Sequence, residues 1–404
     1  MDDVVLAIFA IVYVGMILGR LPGLALDRTG IALLGAIALL SLGRVGMDEI
    51  GKAVDESTIA LLFGLMIVSA QFRLSGLYSY LVRRLAIVRA SPHILLAMLI
   101  GLVGLLSAVL VNDVVCLAMA PVLVEACSRR GLDPKPFLLA LACAANVGSM
   151  ATLIGNPQNM LIGQVLHLSF SHYTAIALVP SVLGLVAVWA VLVWKYGGRW
   201  TAPRWRISVE APQYNRWQTT KGLVLLVGLV IVFLFSSMPR DIMALGTAGI
   251  LLCSRQMRSR EVLGMVDWQL LVLFLGLFIV NYAVEASGSL AMLMDKSAAI
   301  GLDFHEPIWL FIGCAGLSNV VSNVPAVMLL LPSAGHPLGG PILAFASTLS
   351  GNLLIVGSIA NIIVVDQAAR MGVSITWREH ARIGVPVTAL TLIAAGVWLM
   401  IING

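Results

Sequence analysis

Charge is what this 404-residue chain has least of. Only 11% of its residues are Asp, Glu, Lys or Arg, against 60% hydrophobic. Soluble domains carry charge at roughly 25%, so an ordinary water-soluble protein is excluded. Cysteine is sparse and scattered: Cys116, Cys127, Cys143, Cys253 and Cys314 sit in or beside apolar segments, with no CxxC spacing. That pattern excludes a cysteine metal site and a disulfide framework, and reads as small residues packed between helices. There is no nucleotide-binding loop, metal cluster or soluble catalytic domain, so the chain is not read as an enzyme and no cofactor is expected. The net charge of +5 belongs to no soluble basic domain, which removes nucleic acid as a partner.

What is present is a series of apolar runs long enough to cross a bilayer core of roughly 30 Å. Ten spans are expected, at about 3–19, 30–43, 57–72, 136–166, 174–194, 221–237, 242–253, 269–284, 341–365 and 383–402. The first follows Asp2 and Asp3 without a basic leader or small-residue cleavage site, and reads as a retained span rather than a signal. Two further segments, 92–127 and 306–332, are broken by polar residues and are read as re-entrant hairpins. Between Gly76 and Arg89 the amphipathic run LYSYLVRRLAIVR suits the headgroup plane.

The chain repeats itself. Val54–Gly76 aligns with Val266–Gly288 at a shift of 212, matching Asp55/Asp267, Gly64/Gly276, Ser75/Ser287 and Gly76/Gly288. At a shift of 211, Ser107, Asn112 and Pro121 fall on Ser318, Asn323 and Pro332; at 202, Gly155 and Asn159 fall on Gly357 and Asn361. Duplication of this kind in a membrane protein points to two repeats facing a central site. The expected organisation is a first repeat at 1–196, a linker at 197–220 and a second repeat at 221–404. With this assignment all but four of the 25 Lys and Arg residues fall on one side, the exceptions being Arg44, Lys52, Arg240 and Lys296. By the positive-inside rule that side, which includes linker residues Arg199, Arg204, Arg206 and Arg216, is cytoplasmic, and both termini lie outside. Five spans per repeat make the second repeat inverted. The fold class is therefore an all-α polytopic membrane protein: inverted repeats of five transmembrane helices plus one re-entrant hairpin each, with helices broken at the midplane.

Each repeat places two polar interruptions at membrane depth. The hairpins turn at Asn112-Asp113 and across Ser318, Asn319, Ser322 and Asn323; the broken spans carry Gly155-Asn156-Pro157-Gln158-Asn159 and Gly357-Ser358-Ile359-Ala360-Asn361. Gly155, Pro157 and Gly357 interrupt the helix and free backbone amides, which hydrocarbon cannot satisfy. Such breaks must be buried or line a wet cavity. Asn, Gln and Ser supply donors and acceptors for an oxygen-rich solute, and half-helix ends add partial charge. Asn112, Asn156, Gln158, Asn159, Ser318, Asn319, Ser322, Asn323, Ser358 and Asn361 are thus the candidate solute ligands. Any one of them could instead only fasten helices together. Asp113 is the single carboxylate placed near the bilayer centre, and it reads as the proton (or sodium) coupling group. Its counterpart in the second repeat is Val324, so coupling would be one-sided. Glu125 and Asp366 sit near the cytoplasmic ends of their segments, and His167, His172, His305 and His336 map to the outer surface. No Lys or Arg occupies a tip or a break, which tilts the expectation towards a neutral polyhydroxylated solute or a weakly charged oxyanion.

The elements VNDVVCLAMAP, NVGSMATLIGNPQNMLIG, LSNVVSNVPAVMLLLP and NLLIVGSIANIIV resemble the ion transporter superfamily. Within it the likeness is to the ArsB/NhaD-type arsenite permeases and sodium–proton antiporters, related to the citrate and divalent-anion permeases. It covers essentially the whole chain, in order, and includes the Ser374-Ile375-Thr376-Trp377 segment before the last span. The resemblance implies ten spans with two hairpins, solute held at the tips and breaks, and a multi-pass location in a bacterial-type inner (plasma) membrane. The dicarboxylate symporter branch carries Ser-Asn-Thr at both tips; here they read Val111-Asn112-Asp113 and Ser322-Asn323-Val324. The function expected is proton-coupled efflux of arsenite or antimonite as the neutral trihydroxide, by alternating access. The alternatives are a sodium- or proton-coupled permease for an inorganic or carboxylate anion, sodium–proton antiport alone and, from another class, an ion channel or a membrane-embedded scaffold. An ATPase partner, as some arsenite permeases have, leaves no mark in the sequence.

Overall fold

The computed structural model describes residues 2–19, 23–203 and 209–403. Arg204 and Arg206, counted above in the charge sorting, lie outside them. The described residues are mostly helical and contain no strand beyond one isolated bridge, Leu132 to Thr201.

The first half runs through α1 (Asp3–Leu18), α2 (Arg28–Ser41), the single turn α3 (Ile50–Ala53), α4 (Glu56–Leu74), α5 (Leu77–Ile87), α6 (Pro92–Val109), α7 (Asn112–Arg130), α8 (Pro134–Ser149), α9 (Pro157–Val165) and α10 (Phe170–Tyr196). The second half follows it element for element: α11 (Arg216–Phe235), α12 (Arg240–Leu252), α13 (Ser259–Leu263), α14 (Trp268–Ala286), α15 (Ser289–Ala299), α16 (Pro307–Val321), α17 (Asn323–Leu330), α18 (Gly339–Ser350), α19 (Ile359–Arg370) and α20 (Trp377–Asn403). Six of these, α4, α6, α10, α11, α14 and α20, are long and apolar enough to cross a membrane.

Local chemistry repeats with the elements. Asp55 caps α4 by accepting from the Thr58 amide at 2.6 Å, and Asp267 caps α14 through the Leu270 amide at 3.0 Å. Each of these helices then turns a corner at a glycine in the left-handed region, Gly76 (φ 74°) and Gly288 (φ 71°), which a side chain rarely adopts. Proline at the first helical position, where no amide partner is lost, starts α6, α8, α9 and α16.

The two halves are interlocked rather than side by side. Helix α4 packs on α12 of the other half, and α14 packs reciprocally on α2. Small residues allow both crossings. A Cβ on Gly64 would lie 2.7 Å from the carbonyl carbon of Ala244, and one on Gly276 would lie 2.7 Å from that of Ala32. All four positions obey the 212-residue shift. Close backbone approach at small residues is how helices associate where lipid supplies no hydrophobic drive.

Burial is inverted relative to a soluble protein. Val182, Val186, Ile393, Val397 and Met400 on α10 and α20 are exposed, while Asn112, Asn146, Asn156, Gln158, Asn159, Asn352 and Asn361 are buried. The outer surface is suited to lipid and the polar groups are gathered inside.

Contacts between helix ends sort the connecting segments into two sets. The Ser75 carbonyl accepts from the Asn215 amide and the Trp200 carbonyl from the Asp133 amide, both at 2.9 Å, and Lys135 pairs with Glu379 at 2.6 Å. Elsewhere Arg44 pairs with Asp2 at 2.9 Å, Tyr282 donates to Glu49 at 3.4 Å and Arg240 donates to the Gly163 carbonyl at 2.6 Å. The first set holds segments assigned to the cytoplasm from charge, the second those assigned outside.

Candidate functional site

Both proposed breaks are real interruptions of the helix. Between α8 and α9 residues 150–156 leave the helical path; between α18 and α19 the gap is 351–358 and contains one 3-10 turn, Ile355–Gly357. The two loops are fastened in the same way. Asn159 donates through Nδ2 to the carbonyls of Ser149 (3.4 Å) and Thr152 (3.0 Å); Asn361 donates to those of Gly351 (2.8 Å) and Leu354 (3.1 Å). Every partner is displaced by 202 residues. These two asparagines return to the break that precedes them and hold its freed carbonyls.

The helix pairs that turn at polar residues meet these breaks. Helix α6 passes to α7 through two extended residues, Leu110 and Val111, and α16 passes to α17 through Ser322 alone. Ser322 has φ 81° and ψ 161°, a region that stores about 1–3 kcal/mol of strain in a residue with a side chain. The first turn is tied down by the Val111 amide on Ser69 Oγ (3.2 Å) and the Asn112 amide on the Gly155 carbonyl (3.1 Å). With its amide oriented to satisfy its neighbours, Asn323 donates to the carbonyls of Ser347 and Gly357 at 3.0 Å each. Helix α7 packs against α19 and α17 against α9, so each turn meets the broken helix of the opposite half.

A small cavity, about 20 Å³, lies where they converge. Its walls are Asn112 and Asp113 from α7, Pro157 and Gln158 from α9, Ser322, Asn323 and Val324 at the start of α17, and Ser358 and Ile359 at the start of α19. The volume admits about one water. Every lining residue caps a helix or lies in its first turn. Four helix N-termini therefore converge here, each contributing up to about half a positive charge through its dipole, although the Asn112 and Asn159 amides are already bonded and Pro157 has none. A cationic side chain is absent from the lining, and Asp113 is its one carboxylate. Among the described residues no donor or cation reaches that carboxylate within bonding distance. Asn112 Oδ1 is buried and also without a partner. Two acceptors without partners thus stand among four helix N-termini.

Of the ten candidate ligands, Asn112, Gln158, Ser322, Asn323 and Ser358 reach this cavity. The other five lie behind it. Asn156 caps α9 through the Asn159 amide at 2.9 Å and donates to Ser149 Oγ (2.8 Å) and Thr348 Oγ1 (3.3 Å). Asn319 donates back to the Ala315 carbonyl at 3.1 Å, and Ser318 is fully buried. Asn159 and Asn361 are the loop fasteners already described. Gly155 and Gly357 occupy backbone crossings: a Cβ at Gly155 would press on the Ser149 carbonyl and lie 2.6 Å from that of Ser107.

Sequence reasoning left Asn146 and Thr348 out of the ligand set, although they are counterparts at the 202 shift and sit at the centre of the polar network. Asn146 Nδ2 donates to Asn352 Oδ1 (2.8 Å) and Asn361 Oδ1 (3.2 Å), while its Oδ1 accepts from Ser358 Oγ (2.9 Å) and Asn112 Nδ2 (3.4 Å). Thr348 Oγ1 accepts from Asn156 and Gln158 across the same boundary. Placement of Asn146 in a buried half-helix with a symmetry mate was the available signal. Removing its amide leaves several buried groups unpaired, each worth about 1–3 kcal/mol. Asn146→Ala is therefore expected to lower unfolding stability by about 3 kcal/mol, read by denaturant unfolding in detergent. A loss below about 0.5 kcal/mol would show that the partners re-pair without it.

The chain is similar to known transporters. An uncharacterized transporter of Mycobacterium tuberculosis (strain H37Rv) is 28% identical over 403 residues, covering 92% of this chain and 93% of the relative. The rice (Oryza sativa subsp. japonica) silicon efflux transporter LSI3 is 25% identical and covers 97% and 96%; a putative transporter arsB of Dictyostelium discoideum is 23% identical and covers 94% and 88%. The crystal structure of the Alcanivorax borkumensis YdaH transporter, described as having an unusual topology, aligns with a TM-score of 0.60 over 98% of this chain and 97% of that one, at 16% identity. That likeness shows the fold alone. The family model for citrate transporters matches residues 5–341. With broken helices, duplicated halves and family match in agreement, the chain is a multi-pass membrane transporter and belongs to the citrate transporter (CitMHS) family of the ion transporter superfamily.

Proposed function

We propose that the protein is a secondary transporter that exports a small hydroxylated oxyacid of the arsenite or antimonite kind in exchange for protons. One observation carries the reading: a cavity at the junction of the two halves, walled by amides, hydroxyls and one unpaired carboxylate, with no lysine or arginine. A neutral trihydroxide donates O–H groups, and once the halves part to widen a cavity now sized for about one water, Asp113 and the unpartnered Asn112 Oδ1 accept them. Proton and solute hydroxyl compete for the same carboxylate lone pairs. Binding of one excludes the other, and that exclusion is antiport. A bare carboxylate at the bilayer centre is disfavoured by at least about 2.5–3.5 kcal/mol, so the empty carrier returns protonated. The rice and Dictyostelium relatives, named for silicon efflux and arsB, support an oxyacid cargo.

In this reading the chain has ten spans and two hairpins that enter from opposite sides. Both termini lie outside and the 197–220 linker is cytoplasmic. The two halves exchange access by rocking about the breaks.

A second reading is favoured by the four converging helix N-termini, whose combined partial charge suits an oxyanion or carboxylate. Flux into proteoliposomes separates the two, using arsenite, antimonite, phosphate, sulfate and citrate with pH and sodium varied. Arsenite and antimonite movement that follows the pH gradient and ignores sodium is the expected result. Movement of a charged anion alone would replace the oxyacid reading with the second, and conduction without countertransport would mark a channel.

A further inference from the structure

His380 lies in the first turn of α20, only 1% exposed, and none of the chemistry above uses it. Its Nε2 donates to the backbone carbonyl of Asn352, inside the second break, at 3.0 Å; a carbonyl can only accept, which places the proton on Nε2. Its Nδ1 is buried without a partner. Gly384, one turn on, lets α20 approach so closely that an added Cβ would press on the Asn352 carbonyl and lie 3.2 Å from His380 Nε2.

The first half contains the same device with a different side chain. Helices α10 and α20 are both 27 residues long, and their caps correspond at a shift of 207: the His172 amide donates to Ser169 Oγ and the Glu379 amide to Thr376 Oγ1. At that shift His380 corresponds to Tyr173. Tyr173 donates its hydroxyl to the Met150 carbonyl at 2.9 Å, and Met150 corresponds to Asn352 at the 202 shift of the breaks. One carbonyl in each break is thus held by the equivalent residue of the last helix of its half. In the first half that residue is a tyrosine, ordinarily neutral up to pH about 10; in the second it is an imidazole, which ordinarily titrates near pH 6.5.

We propose that His380 is a positioning residue that makes the second break, and not the first, responsive to protons arriving from the cytoplasmic end. The inference rests on the proton-coupled reading above and adds a second titrating position to Asp113. While neutral, His380 holds the Asn352 carbonyl. A proton added at Nδ1 meets no acceptor, so the packed arrangement is disfavoured and the break is released. The release has a route to the cavity. Asn352 Oδ1 accepts from Asn146, which in turn accepts from Ser358 and Asn112 on the cavity wall. Charged or titratable groups near this end are Arg378, Glu379 and Arg382 on α20, Asp133 and Lys135 at the start of α8, and Lys195, Tyr196 and Arg199 at the end of α10. Glu379 is already paired with Lys135, and α18 contributes none.

Hydrogen–deuterium exchange on the purified full chain tests this without any solute. After correction for intrinsic exchange, amides of 350–358 should exchange about tenfold faster at pH 5.5 than at pH 7.5, while 149–157 stay unchanged. His380→Tyr, which copies the first half, and His380→Gln, which keeps a donor that cannot titrate, should both abolish that rise. Tyr173→His should create one in 149–157. A wild-type profile flat with pH overturns the proposal, as does a rise that persists in both variants. If neither His380 variant folds, the wild-type titration and Tyr173→His decide. Because no transport is read, failure of the oxyacid assignment leaves this result intact, and the reverse holds too.

Discussion

Asp113→Asn is expected to lower proton-driven solute flux by about 100-fold while solute–solute counterflow persists. The basis is position: Asp113 is the one carboxylate lining the cavity, and its counterpart Val324 lines the opposite wall. Asparagine keeps the shape and can still accept a hydroxyl from the solute, but it cannot exchange a proton. On the proposed antiport reading, the return of the empty carrier is then uncoupled from the pH gradient. At about 1.4 kcal/mol per pH unit, an imposed gradient of about two units is a 100-fold bias, and that bias is what the variant loses. Flux into proteoliposomes with an imposed pH gradient, against counterflow without one, measures both quantities. An Asp113→Asn protein that still concentrates solute in response to the pH gradient would remove Asp113 from coupling, since no other carboxylate borders the cavity.

Gly155→Ala should destabilise the fold strongly. Its Cβ would meet backbone on two sides: the Ser149 carbonyl, which closes the break, and the Ser107 carbonyl of α6 at 2.6 Å. Neither can turn away as a side chain can. The equivalent Gly357 has softer neighbours, because its nearest contact is the Asn319 side-chain oxygen at 2.9 Å, followed by the Gly351 carbonyl at 3.0 Å. Overpacking of this kind generally destabilises by about 1–3 kcal/mol, with backbone clashes at the upper end. Gly155→Ala is expected near about 3 kcal/mol and Gly357→Ala near about 1 kcal/mol, compared by unfolding of the two variants in detergent. Equal losses would mean that the first break relaxes as easily as the second. The softer break is also the one whose Asn352 carbonyl is bonded to His380.

Local signals carried most of the architecture. Gly155 and Pro157 marked the first break and Gly357 the second, and α8 and α18 end a few residues before them. The amphipathic run after Gly76 became α5. Duplicated residues marked duplicated elements down to the caps of α4 and α14. These features are legible because backbone geometry and membrane length act on short stretches of chain.

The candidate ligands were less legible. Asn159 and Asn361 look the same in sequence as Asn112 and Asn323, since a side-chain amide satisfies a backbone carbonyl as well as it satisfies a solute. Only the folded path of the breaks sends the first pair back to their own loops. The weight given to missing lysine and arginine also needs adjustment. Four helix N-termini supply positive potential that no side-chain inventory records.

The amino-acid order by itself determined that this is a helical membrane protein of two related halves, each with a polar turn and a broken helix. Hydropathy, glycine, proline and repeated spacing are properties of neighbours along the chain. Tertiary structure alone decided that α2 and α4 exchange partners with α14 and α12, that five of ten polar residues face the cavity, and that His380 stands where Tyr173 stands in the other half. Those outcomes depend on which distant surfaces can approach within bonding distance, and that is set by the packing of small residues between helices far apart in sequence.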